Sequence, residues 1–294
     1  MFLCEVGSQD GNAQSLSNVD NVEAARFFWG RDVIVTINGR TALDIVLKSI
    51  GLMPGDDIYV DTTFGGNYVS SCVTSLIFNY CRPSKIFTDN TKAIIVIHEF
   101  GVPHNEIVEL ACKAKMHNIP LIENCAHSMA SSFRGKSIGS FGDYSVYSFR
   151  KSINLPVGGA VVGNFDNEVY SPSLREKRCL IDIEWKLSDE LNMLQYYGEI
   201  RRRNFLKLEK LVGVFGCKPM FKCSSDVYPY AFPFVVIDKN MKESLIVKFS
   251  EQDIESFSWR GDEIVVLPVH QFLKEDFFNK VECVLDGFNR KYGL

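Results

Sequence analysis

The run Ala93–Glu123, AIIVIHEFGVPHNEIVELACKAKMHNIPLIE, holds three segments of different period. Ala93–His98 is a short apolar stretch rich in β-branched side chains, the composition of a buried strand. Ile107, Leu110, Ala111 and Ala114 then recur at i, i+3, i+4 and i+7, one face of a helix. Pro120–Glu123 returns to a strand composition. Strand, helix and strand in succession predict a parallel crossover unit, and the same alternation extends outward. Upstream, the strands Val33–Ile37 and Ile58–Asp61 flank a helix on which Leu43, Val46, Leu47 and Ile50 repeat, stopped by Gly51 with Pro54 beyond it. Downstream, Tyr144–Phe149 and Gly159–Val162 follow one another without room for a helix, so the sheet is expected to finish in adjacent strands.

The alternation ends by residue 165. Residues 186–212 carry apolar positions at helical spacing among many charges and predict one long connecting helix. Beyond it lie an apolar run at Tyr228–Ile237, a mixed segment at Phe249–Trp259, a strand at Glu263–Val269 and a terminal helix at Lys274–Tyr292. The expected organisation is a large α/β domain over residues 1–185, with a mostly parallel sheet flanked by helices. A connecting helix and a smaller C-terminal α+β domain follow over 186–294.

Lys and Arg number 32 against 36 Asp and Glu, and 46% of the 294 residues are hydrophobic, which excludes a disordered chain. A net charge of -4 without a basic block speaks against nucleic acid as a partner. Arg201-Arg202-Arg203 sits among Glu199 and Glu209 and reads as a solvated helix face. The nine cysteines are scattered without a Cys-x-x-Cys pair, so neither a disulfide framework nor a metal site is expected. No apolar string approaches the roughly 20 residues needed to cross a bilayer, and the first residues, MFLCEVGSQDGNAQ, lack a basic leader. A reducing cytoplasm is the expected compartment.

Ligands of open α/β sheets bind beyond the carboxyl ends of the strands, so three strand-end loops draw the search. The first is Asn38-Gly39-Arg40-Thr41-Ala42, where a turn opens a helix whose free N–H groups suit a phosphate. The second, Glu123-Asn124-Cys125-Ala126-His127, gathers a carboxylate, an amide and an imidazole. The third is Ser148-Phe149-Arg150-Lys151, followed by Gly158-Gly159. No Gly-x-Gly-x-x-Gly follows the first strand, which argues against a dinucleotide-binding oxidoreductase.

In order and spacing these loops, with Gly55-Asp56-Asp57-Ile58, Gly135-Lys136-Ser137-Ile138-Gly139-Ser140-Phe141-Gly142-Asp143 and Gly158-Gly159-Ala160-Val161-Val162, resemble the DegT/StrS family of sugar aminotransferases. These are pyridoxal-phosphate enzymes of fold type I. The resemblance covers residues 33–165 and resumes at Leu267-Pro268-Val269-His270. It implies an aminotransferase acting on a keto group of a nucleotide-linked sugar in glycan or lipopolysaccharide biosynthesis, with an amino-acid donor, glutamate, and a homodimer.

Residue by residue, the resemblance implies that Lys151 is the catalytic amine that binds the cofactor aldehyde and moves a proton. Many family members place this lysine two residues later, where this chain has Ile153. Ser148 and the Gly39-Arg40-Thr41 turn correspond to the phosphate contacts; Arg40 replaces a family Thr and either pairs with the phosphate or faces solvent. Phe64 and Tyr68 compete as the ring stacked on the pyridine, with core packing the alternative for both. His127 corresponds to the residue beside the cofactor. Asn124 stands where the family has Asp, whose charge keeps the pyridine nitrogen protonated. Glu123 does not replace it, because alternation along the strand turns it to the other face. The segment after Gly163 is shorter than in the family and lacks its Gly-x-Asn stretch. These departures leave a second reading, a non-catalytic homologue serving as a binding or assembly partner.

Overall fold

In the computed structural model, residues 25–26, 28–66, 69–165, 170–236, 239–260 and 263–292 are described. Seven strands form one sheet: β1 (Val33–Thr36), β2 (Asp57–Thr62), β3 (Arg82–Ser84), β4 (Thr91–Ile97), β5 (Leu121–Asn124) and, after a small ribbon of β6 (Ser132–Phe133) and β7 (Lys136–Ser137), β8 (Tyr144–Ser148) and β9 (Gly159–Val162). Their spatial order is β1-β9-β8-β5-β4-β2-β3, and β9 alone runs against the others. The crossover helices are α1 (Gly39–Ser49), α2 (Ser71–Ile77) and α3 (Ile107–His117).

Neighbouring residues of the sheet serve opposite layers. Ala93, Ile95, Ile97, Ile122 and Val146 pack into the cluster that α1 and α2 complete with Leu43, Val46, Leu47, Val73 and Leu76. Ile94, Val96 and Leu121 pack against Ile107, Leu110 and Ala114 of α3. A strand buried on both faces explains why β4 reads as a continuous apolar run rather than an alternating one.

The chain divides between Leu194 and Gln195 into two compact units. The connecting helix expected over 186–212 is two helices, α4 (Leu174–Asn192) and α5 (Leu194–Val214), and the expected boundary at 185/186 falls inside α4. Neither glycine nor proline marks the break at Met193. In the C-terminal unit β10 (Lys218–Pro219), β11 (Ala231–Val235), β12 (Phe257–Ser258) and β13 (Ile264–Pro268) make an antiparallel sheet in the order β10-β11-β13-β12. Helices α6 (Lys239–Glu251) and α7 (Glu275–Tyr292) complete it.

One reading of the basic run is overturned here. Arg201 is buried, on the stripe of α5 shared with Phe205 and Leu208, and its Nε donates to Gln271 Oε1 at 2.9 Å. Position 201 faces inward by helical phase, which the neighbouring charges in the sequence obscured; Arg203 is exposed as expected.

Candidate active site

Because Ile122 and Val146 lie on the α1/α2 face, the residues two positions on, Asn124 and Ser148, share that face at the carboxyl edge of adjacent strands β5 and β8. Here α1 begins. Asn38 caps it, its Oδ1 accepting the Thr41 N–H at 2.8 Å, which leaves the Gly39 and Arg40 N–H groups without intrahelical acceptors. Gly39 lets the helix end approach β8: a Cβ there would stand 3.0 Å from Tyr147 O and 3.1 Å from Ser148 Cβ. Ser148 is buried, and its hydroxyl makes no hydrogen bond among the described residues.

The chain leaves β8 in a single tight turn, Phe149–Lys151, in which Phe149 O accepts from both Ser152 and Ile153. This turn brings the amine of Lys151 to 2.9 Å from His127 Nε2. Ile153, at the family's lysine position, is fully buried. The other ring nitrogen of His127, Nδ1, accepts the Phe100 N–H at 3.4 Å. A neutral imidazole carries its proton on one ring nitrogen, so a charged Lys151 amine donates to an accepting Nε2, whereas an uncharged amine accepts from a protonated one.

Burial, then the positive charge of Arg150, pushes the Lys151 amine down to about 8, with Cys72 opposing. Burial, then Lys151, holds His127 well below the usual imidazole range.

Glu123 points to the opposite face, as alternation requires. Its Oε1 accepts the N–H groups of Phe141 and Gly142 at 2.6 and 2.7 Å, and its Oε2 accepts Gly139 at 2.9 Å and meets His98 Nε2 at 3.2 Å. His98, Glu123 and Cys125 are the group among the described residues whose donor atoms converge as a metal site would need, all within 4.8 Å. Their lone pairs are already used: His98 Nδ1 accepts the His104 N–H at 3.0 Å, and burial keeps the Cys125 thiol protonated, directed to Glu123 O at 3.6 Å. The cluster is a structural knot beneath the site.

The sequence-selected residues fare unequally. Lys151 and His127 are brought into contact, while Gly39, Thr41, Ser148 and Asn124 gather at the same edge and face. The exposed guanidinium of Arg40 donates to Ser75 Oγ at 3.3 Å. Phe64 donates its N–H to Glu99 Oε2 at 3.2 Å, and its ring lies 6.2 Å from Phe100. Tyr68 lies outside the described residues. The aromatic ring beside His127 is that of Phe100, stacked at 6.3 Å and 26°. Sequence reasoning missed it; the only signal is its position in the loop after β4, because its left-handed backbone, φ 54°, appears only in the structure.

The residues fit pyridoxal phosphate. An amine of lowered basicity suits an aldehyde, and the Arg40 N–H at the start of α1 with the Ser148 hydroxyl suits a phosphate beside the turn at Gly39, whose own N–H is turned to Gly158 by the bridge between Asn38 and Gly158.

Residues 82–174 match the model of the DegT/DnrJ/EryC1/StrS aminotransferase family. The GDP-perosamine synthase of Escherichia coli O157:H7 is 34% identical over 161 residues, 48% of this chain and 42% of that protein, so the matched part spans less than half of its length. Among solved structures, the aminotransferase from Psychrobacter cryohalolentis matches with a TM-score of 0.74 at 16% identity, covering 99% of this chain and 100% of that one. A putative sugar aminotransferase from Streptococcus pneumoniae in its PLP form matches at 0.71 and 15% identity, covering 96% and 94%. At such identities the likeness shows the fold, that of the pyridoxal-phosphate-dependent aminotransferases.

Proposed function

From its kinship with the DegT/DnrJ/EryC1/StrS aminotransferases, we propose that this chain is a pyridoxal-phosphate-dependent aminotransferase acting on a keto group of a nucleotide-linked sugar in glycan biosynthesis. The observation that carries the reading is the Lys151 amine, 2.9 Å from His127 and depressed to about 8, at the carboxyl edge of the sheet. A chain freed from amine chemistry has no physical need of such a lysine, which weighs against the non-catalytic alternative. The nucleotide-sugar part is supported by relatives named for GDP-perosamine and for UDP-N-acetyl-3-dehydro-alpha-D-glucosamine. Glutamate as donor, a homodimer and a cytoplasmic location complete the reading.

Pyridoxal phosphate, when bound, supplies an aldehyde that condenses with amines and a ring that withdraws electrons. Lys151 would hold the aldehyde through Nζ and, as a free amine, would take up and return a proton at that atom. His127, 2.9 Å from Nζ, orients that nitrogen. The Arg40 N–H at the start of α1 and the Ser148 hydroxyl would hold the phosphate in the turn at Gly39, and Asn124 would face the ring nitrogen. Borohydride reduction of protein incubated with the cofactor, followed by peptide mapping, tests the assignment. A phosphopyridoxyl group on the peptide carrying Lys151 is expected; a label elsewhere, or none, removes it.

A further inference from the structure

The side chain of Asn124 is oriented. Its Oδ1 accepts the Ala126 N–H at 3.2 Å, and because an amide nitrogen cannot accept, this bond settles which end of the side chain is which. The Nδ2 group is left without a hydrogen bond among the described residues. Asn124 shares the α1/α2 face with Ser148 one strand away, so what it offers to the site is a hydrogen-bond donor.

The carboxylates nearest along these strands are engaged elsewhere. Glu123 faces the other side of the sheet with both oxygens occupied by Gly139, Phe141, Gly142 and His98. Asp61 at the end of β2 is engaged by Tyr59 at 3.0 Å, by the Thr62 N–H at 2.9 Å and by His104 at 3.6 Å. The charges that act on Lys151 are those of Arg150 and Cys72, with His127 in contact, and the buried carboxylate of Glu99, next to Phe100, accepts the Phe64 N–H at 3.2 Å. A protonated pyridine nitrogen would present its hydrogen to the hydrogens of Nδ2, whereas an unprotonated one presents a lone pair.

We propose that Asn124 donates its amide N–H to the ring nitrogen of the bound cofactor and holds that nitrogen unprotonated, confining this site to proton transfers that place little charge on the ring. The proposal rests on the reading that Lys151 holds pyridoxal phosphate. It makes Asn124 a selector of reaction type: a neutral ring is a weaker electron sink, so more of the proton transfer falls to Lys151.

The test is the nitrogen-15 NMR spectrum of the holoenzyme reconstituted with pyridoxal phosphate labelled at the ring nitrogen, recorded between pH 6 and 9. The wild type is expected at the position of an unprotonated pyridine throughout, and Asn124→Asp is expected to move the resonance to the pyridinium position. The wild-type spectrum decides alone if the variant does not fold. A pyridinium resonance in the wild type overturns the proposal. Reduction and mapping of the same sample keep the two readings apart: an adduct on Lys151 with a pyridinium nitrogen leaves the aminotransferase reading standing and removes this one. A chain that takes up no cofactor removes both.

Discussion

At Lys151 the decisive quantity is the fraction of amine that is uncharged, because only the lone pair attacks an aldehyde. With burial, then Arg150, depressing the amine to about 8, that fraction rises with pH through 8 rather than through the ordinary lysine range near 10.5. At pH 7 it exceeds that of a surface lysine by roughly 100- to 1,000-fold. Labelling of Lys151 by a limiting amine-directed reagent, read by mass spectrometry across pH, should therefore show a midpoint near 8, and Arg150→Gln should move it upward. A midpoint above 10 in the wild type would contradict the account of its surroundings. At this scale the sequence was readable where chemistry demands a residue type. Lys151, His127 and Ser148 stand out by their order along the chain, whereas Phe100 does not, because a left-handed φ on a phenylalanine leaves no mark in composition. The side chain of Arg40 was ambiguous for a related reason, since its partner Ser75 lies on another helix.

The seam where β9 passes between β1 and β8 is held together by backbone in close contact. A Cβ at Gly159 would stand 2.6 Å from Asn38 C and from Tyr147 O, and 2.7 Å from Gly39 N, all backbone atoms that cannot step aside. Gly159→Ala should cost about 1–3 kcal/mol and weaken cofactor retention as well, because the same shift displaces the start of α1. Gly213 in α5 has nothing within 4 Å of its Cβ position, so Gly213→Ala should be neutral or stabilising by up to about 1 kcal/mol. Equal melting temperatures for the two variants would refute this account of the seam. Long periodic elements were legible in the sequence and short ones were not. The helix from Gly39 and the helix from Ile107 follow from their apolar spacing, but α2 with 7 residues and β3 with 3 are too short to show a period. The mixed segment Phe249–Trp259 proves to be the end of α6, a turn and the short β12, three elements within one window.

Alternation of strands and helices implies a parallel sheet, but it does not give the order of the strands. That order, with β1 brought beside β9 and β9 beside β8, is what sets the turn after Ser148 against the start of α1. One consequence concerns how many chains make a site. Lys151, His127, Ser148, Asn124 and the α1 N-terminus all belong to the same compact unit. Cofactor binding should accordingly be a property of the single chain even where two chains pair. On dilution through the range in which a dimer comes apart, followed by mass-resolved gel filtration with absorbance detection, each 33.3 kDa chain should keep its cofactor at one equivalent. Release of cofactor in step with dissociation would show instead that the partner completes the phosphate or ring contacts, and that the Arg40 N–H with Ser148 is only part of the cradle.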